Sequence, residues 1–72
     1  MLIMRSNIIG LVILRLRTEN KLSQRQLGEK LGYSQKTVSD WEQGVTEPNL
    51  DVVTKLVKMF DVSYEELLEG GL

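Results

Sequence analysis

The chain contains neither cysteine nor histidine. Without cysteine there is no disulfide framework and no thiolate metal site. Without histidine it lacks the commonest general base and the commonest metal ligand. Carboxylates remain, but the adjacent Glu65 and Glu66 would face different ways on a helix and read as a cap and a solvated face. No enzyme is expected, and no cofactor, metal ion or small-molecule ligand is called for. Long apolar runs are also missing. Residues 8–14 are apolar, but a membrane helix needs about 20 such residues, and no small-residue cleavage site follows them. We therefore expect no membrane association and a cytoplasmic location. An excess of positive charge is missing too, since nine basic and ten acidic residues leave a net charge of −1. The charge is unevenly spread: residues 1–36 carry a balance of +5 and residues 37–72 a balance of −6. Such asymmetry suggests a basic surface on one side.

What is present is a strong pattern of helix starts and stops. Over 22–44, Ser23 with Gln26 forms a candidate capping box, and Leu22 with Leu27 a candidate hydrophobic staple. Leu27 and Leu31 share a face, and Gly32 stops the helix, because the residue after a helix usually needs φ > 0. Ser34 can cap a second helix at once, with Val38 and Trp41 as its buried pair and Gly44 at its end. Two helices joined by a short turn containing glycine make the helix-turn-helix that enters the DNA major groove.

With these residues in view, the chain resembles the phage-repressor-like helix-turn-helix family, the Cro/repressor or XRE type. The resemblance rests on Ser23-Gln24, Gly28 with Gly32, Trp41-Glu42 before Gly44, Glu47-Pro48, Val62-Ser63 and Leu67-Leu68. It covers roughly residues 9–68, much more than a short motif. It implies an all-α, five-helix, lambda-repressor-like DNA-binding domain acting as a transcriptional regulator. Repression is what the resemblance implies, on a palindromic operator bound as a homodimer.

The five helices are predicted over 7–20, 24–31, 35–43, 50–60 and 64–69, with no strand. Asn49 is placed to cap the fourth, and Ser63 with Glu66 forms a second capping box before the fifth. One domain of 72 residues is expected, with an apolar extension at 1–6 and a tail at 70–72. Its predicted core is Ile9, Ile13, Leu16, Leu27, Leu31, Val38, Trp41, Leu50, Val53, Leu56, Phe60, Val62 and Leu67. Gly28 falls where the second helix meets the third, and its lack of a side chain would let the backbones approach.

The third helix supplies the candidate readers. With Val38 and Trp41 buried, Gln35, Lys36, Ser39, Asp40 and Gln43 lie on or near the opposite side. Gln pairs with adenine, Lys donates to guanine O6 and N7, Asp accepts from cytosine N4, and the Thr37 methyl suits a thymine methyl. The resemblance implies that Gln35, Lys36, Thr37 and Asp40 approach bases. It also implies that Gln24 touches a phosphate and that Arg17 and Glu42 form an ion pair fixing the third helix. Arg25, Lys36, Gln43 and the first backbone N–H groups of helices two and four complete the expected phosphate contacts. Relatives often carry Lys or Arg after the third helix, whereas Val45-Thr46-Glu47 stands here; this lowers the electrostatic part of the affinity.

The first helix has more apolar residues than one core stripe needs. Leu11, Val12 and Leu14 lie outside the stripe of Ile9, Ile13 and Leu16. Either residues 2–4 fold back over them or they form a subunit interface; the interface is the expectation adopted here. The partners expected are double-stranded DNA and a second copy. The other functional reading is a protein-interaction or assembly module, antitoxin-like or engineered, associating through this helix.

Overall fold

Side-chain caps determine where the helices begin. The computed structural model describes residues 5–69. In them five helices follow one another: α1 (Arg5–Glu19), α2 (Gln24–Leu31), α3 (Gln35–Gln43), α4 (Leu50–Phe60) and α5 (Tyr64–Glu69). No strand occurs among the described residues. Before α2, the Ser23 hydroxyl accepts from the Gln26 N–H at 3.0 Å, and the Gln26 side chain accepts from the Ser23 N–H at 2.8 Å. Ser34 accepts from the Thr37 N–H at 3.1 Å before α3, and Asn49 from the Val52 N–H at 3.0 Å before α4. Each of these bonds satisfies one of the free N–H groups of a first turn. The box before α5 is made differently from the one expected. Ser63 accepts from the Glu66 N–H at 3.0 Å, but the Glu66 carboxylate reaches Arg15 of α1 at 2.7 Å. A guanidinium is the stronger partner for a carboxylate than a neutral backbone N–H.

The first four helices all end alike. Just past each of these ends an N–H folds back to a carbonyl five positions earlier: Leu22 to Arg17 (3.0 Å), Tyr33 to Gly28 (2.8 Å), Val45 to Asp40 (2.9 Å) and Val62 to Val57 (3.2 Å). This closure requires a left-handed residue in between. Gly32 and Gly44 fill it at φ 86° and 76°, while Lys21 and Asp61 fill it at φ 58° and 55°. Glycine marks two of these ends in the sequence and Asp61 marks a third more weakly, since a short polar side chain tolerates this conformation, whereas nothing in the residue type marks Lys21. The motif commonly places an apolar side chain against the core, as Leu22, Tyr33 and Val62 do here.

α1 begins at Arg5, two residues before the predicted start, so positions 5 and 6 of the expected extension belong to the helix. The remainder of that extension, with its suggested fold-back over α1, and the tail at 70–72 lie outside the described residues. α1 packs across α3 and α5, α2 against α3, and α4 against α5. Ile9, Val12, Ile13, Leu16, Leu27, Leu31, Val38, Trp41, Val52, Val53, Leu56 and Leu67 make the core, and Phe60 and Val62 pack against it half-buried. No helix among the described residues is long and apolar enough to cross a membrane.

Three positions depart from expectation. Val12, assigned to a subunit interface, is 6% exposed and belongs to the protomer's own core. It sits three residues after Ile9 and four before Leu16, on the flank of the same stripe, and the groove among α1, α3 and α5 is wide enough to take that flank. Leu50, assigned to the core, is 74% exposed. It lies about 120° round α4 from Leu56, the centre of a buried arc with Val52 and Val53 on either side. Val52, left out of the predicted core, is fully buried.

Gly10 has a structural purpose that periodicity and capping do not signal. A Cβ there would lie within 3.0 Å of the Trp41 and Glu42 carbonyls of α3. The missing side chain therefore sets how closely α1 lies on α3. Gly28 plays a similar part against the turn, where a Cβ would stand 2.5 Å from the Tyr33 carbonyl. We expect Gly10→Ala to destabilise the fold by about 1–3 kcal/mol through overpacking, although Gly→Ala inside a helix ordinarily stabilises by about 1 kcal/mol. Gly32 has open space around it, so Gly32→Val should destabilise only through its left-handed backbone, which a β-branched residue resists. Urea midpoints of the two variants check both signs; a more stable Gly10→Ala would mean that α1 and α3 are not in backbone contact.

Candidate nucleic-acid interface

α3 owes its orientation to one buried side and three polar ties. Val38 is fully buried and Trp41 nearly so. Tyr33 packs edge-on against Trp41, with ring centroids 5.2 Å apart. Glu42 then gathers the neighbouring elements. Its carboxylate accepts from Arg17 Nε at 2.6 Å and Arg17 Nη2 at 3.1 Å, a two-point contact with α1. It also accepts from Gln24 Nε2 at 3.0 Å, the first residue of α2. Arg17 Nη1 donates in addition to the Leu22 carbonyl at 2.8 Å, just before the α2 cap. The pair is well shielded, with 13% of the Arg17 side chain and 5% of that of Glu42 exposed. Paired charges at this depth keep their strength, and their planar two-point geometry fixes direction as well as distance.

With that side held, α3 presents its other side to solvent. Gln35, Lys36 and Gln43 are exposed, and Ser39 and Asp40 are half-exposed. Gln43 Nε2 donates to Ser39 Oγ at 2.9 Å, and Lys36 Nζ stands 3.4 Å from an Asp40 carboxylate oxygen. Thr37 sits on the flank, half-buried, with its hydroxyl 3.0 Å from Ser34 Oγ in the turn. Of the base readers expected, Gln35, Lys36, Ser39 and Asp40 thus lie on the open face and Thr37 beside it. Among the residues named for phosphate, Arg25 is well exposed and pairs loosely with Glu29 at 3.5 Å. Gln24 is half-buried, and one of its amide hydrogens is directed at Glu42; its second remains for another acceptor. The first turn of α2 carries no acid, whereas that of α4 carries Asp51. The N-terminus of α2 is therefore the more favourable of the two for an anion.

Leu11 and Leu14 lie on the far side of α1, 51% and 36% exposed. On α4 and α5, Leu50, Met59, Tyr64 and Leu68 are exposed, with Leu50 and Met59 on opposite faces of α4. Ile9, Glu47, Pro48, Val53 and Leu68 line a depression of about 310 Å³ nearby.

Five helices with an exposed polar helix held behind a capped turn define a helix-turn-helix protein. A family model described as helix-turn-helix matches residues 13–67. Repressor protein C2 of Salmonella phage P22 is 35% identical over 69 residues, which is 96% of this chain and 32% of that protein. The HTH-type transcriptional activator BcrR of Enterococcus faecalis is 41% identical over 56 residues, 78% of this chain and 28% of its own length. The crystal structure of the P22 c2 repressor in complex with a synthetic operator has the same fold. Its TM-score is 0.78 at 35% identity, covering 86% of this chain and 94% of that one. The chain belongs to the phage-repressor-like helix-turn-helix family. It spans about a third of the length of these two curated relatives.

Removing Glu42 would leave the shielded Arg17 without its counter-charge. We expect Glu42→Ala to lower stability by about 3 kcal/mol, the lower end for a broken buried pair and well above the 0–1 kcal/mol of a surface pair. Glu42→Gln keeps an acceptor and should lose less. Chemical denaturation of both variants tests this, and a loss under about 1 kcal/mol for Glu42→Ala would mean that the tie does not fix α3.

Proposed function

We propose that this chain is a sequence-specific DNA-binding transcriptional regulator, a repressor that acts as a homodimer on a palindromic operator. The observation that carries the reading is the polar face of α3. Gln35, Lys36, Ser39 and Asp40 project from a helix whose other side is locked by Val38, Trp41 and Glu42. A rigidly held helix with hydrogen-bonding side chains in its first two turns suits the edges of bases in the major groove. The operator-bound state of the P22 c2 structure supports this use of the fold. Residues 5–69 would act as one DNA-reading unit. Thr37 would contribute its methyl from the flank, and Arg25, Gln24, Gln43 and the start of α2 would hold phosphates.

A palindromic site requires two copies about 34 Å apart between recognition helices. Taking Val12 into the core leaves Leu11 and Leu14 as a narrow strip on α1, whereas Met59, Tyr64 and Leu68 are exposed apolar residues of α4 and α5. Exposed apolar side chains on two helices packed together support a seam there. The same exposed strip on α1 favours the second reading, an assembly module, and salt-dependent binding to duplex DNA separates the two.

Two measurements test these statements. Arg25→Ala should weaken binding to every sequence and reduce the slope of log K against log salt by about 1; an unchanged slope would remove Arg25 from the phosphate contacts. In sedimentation, Met59→Lys with Leu68→Glu should turn a dimer into a folded monomer, and Leu11→Glu with Leu14→Lys should leave it dimeric. The opposite pattern would put the seam on α1, and a monomeric parent at high micromolar concentration would refute dimerisation by either surface.

A further inference from the structure

Lys36 and Asp40 are one helical turn apart on the open face of α3, and their charged groups meet. Lys36 Nζ lies 3.4 Å from Asp40 Oδ1 and 3.5 Å from Oδ2. The Lys36 side chain is 83% exposed and that of Asp40 24%. The contact is loose, so the ammonium keeps hydrogens, and the carboxylate keeps lone pairs, for other partners. The result is a cationic donor beside an anionic acceptor at the place where α3 would meet base edges.

We propose that Lys36 and Asp40 act as a unit that reads a single G·C base pair in the major groove, an inference that rests on the DNA-binding reading above. In a G·C pair, guanine O6 and cytosine N4 are hydrogen-bonded to each other and so lie about 2.9 Å apart. That nearly matches the spacing of Nζ and Oδ. Lys36 donates to guanine O6 and N7, Asp40 accepts from the outward N4 hydrogen of cytosine, and the two side chains stay paired while doing so. Keeping the pair intact matters, because a lone carboxylate entering a groove lined by phosphates would be repelled.

The same couple ranks the other base pairs. A T·A pair in the same orientation also offers an acceptor beside a donor, thymine O4 beside adenine N6. There Lys36 finds one acceptor in place of two, and the carboxylate comes near the lone pair of adenine N7. In C·G and A·T the order is reversed, which sets Asp40 against an acceptor oxygen and Lys36 against an amino group. The expected order is therefore G·C first, T·A second, and C·G and A·T last. Asp40 contributes chiefly by rejecting the reversed pairs.

The test uses the intact chain. Sites are selected from random duplex DNA at low salt, and anisotropy titrations then compare four duplexes that differ only at the pair where Lys36→Ala relaxes preference. For the parent we expect at least about tenfold tighter binding to G·C than to C·G or A·T, equivalent to 1.4 kcal/mol. Asp40→Ala should relax preference at that same base pair, and Asp40→Asn, which keeps an acceptor oxygen, should retain part of it. Both side chains are at the surface, and the thermal midpoint of each variant confirms folding. Relaxation at two different base pairs would overturn the proposal, as would a uniform gain in affinity for all four duplexes on removing Asp40. Binding to no duplex in the library would overturn the DNA-binding reading itself.

Discussion

The carboxylate of Glu42 is where α1, α2 and α3 are joined. It takes two bonds from Arg17 and one from Gln24, and Arg17 adds a bond to the Leu22 carbonyl at the entry to α2. Apolar packing alone would leave α3 free to roll or slide, because dispersion and hydrophobic burial are not directional. A shielded two-point ion pair is directional, and here it sits next to Trp41, the largest buried residue of α3. The close approach at Gly10 serves the same contact, since it brings the α1 backbone against the carbonyls of Trp41 and Glu42. Bulk at Gly10 and the reach of Arg17 are therefore parts of one fit.

Because one side of α3 is so fully determined, its other side is free to carry chemistry. Ser39 and Gln43 are linked there, Lys36 and Asp40 are linked there, and Gln35 opens the helix. None of these side chains contributes to the apolar core. Their identities can change without disturbing the scaffold, which is how one fold serves proteins as different as the relatives it resembles. The low positive charge of the chain has a consequence in the proposed role: with Glu47 after α3 and Asp51 opening α4, a larger share of specificity falls on the reading face than on phosphate attraction.

Local signals were legible wherever a residue type has a single physical use. The caps at Ser23, Ser34 and Asn49 and the left-handed glycines at Gly32 and Gly44 are of this kind, and they place both limits of α2 and α3 and the start of α4 correctly. The signals were weaker where several residue types can do the same task. Lys21 adopts the left-handed conformation although its type is not preferred there, and Asp61 does so where glycine is the commoner choice. Glu66 had two possible partners and took the charged one.

The sequence by itself determined the helices, the face of each that turns inward, and the membership of Lys36, Asp40 and their neighbours in one solvent-facing side of α3. Those properties follow from periodicity and from short-range hydrogen bonds, which act within four residues. Only the tertiary structure decided where a stripe ends and what lies opposite it. It took Val12 and Val52 in, left Leu50 out, and gave Gly10 its purpose. The reason is geometric: the edge of a helical face is buried or exposed according to the width of the groove between its neighbours. That width is set by residues far away in the chain.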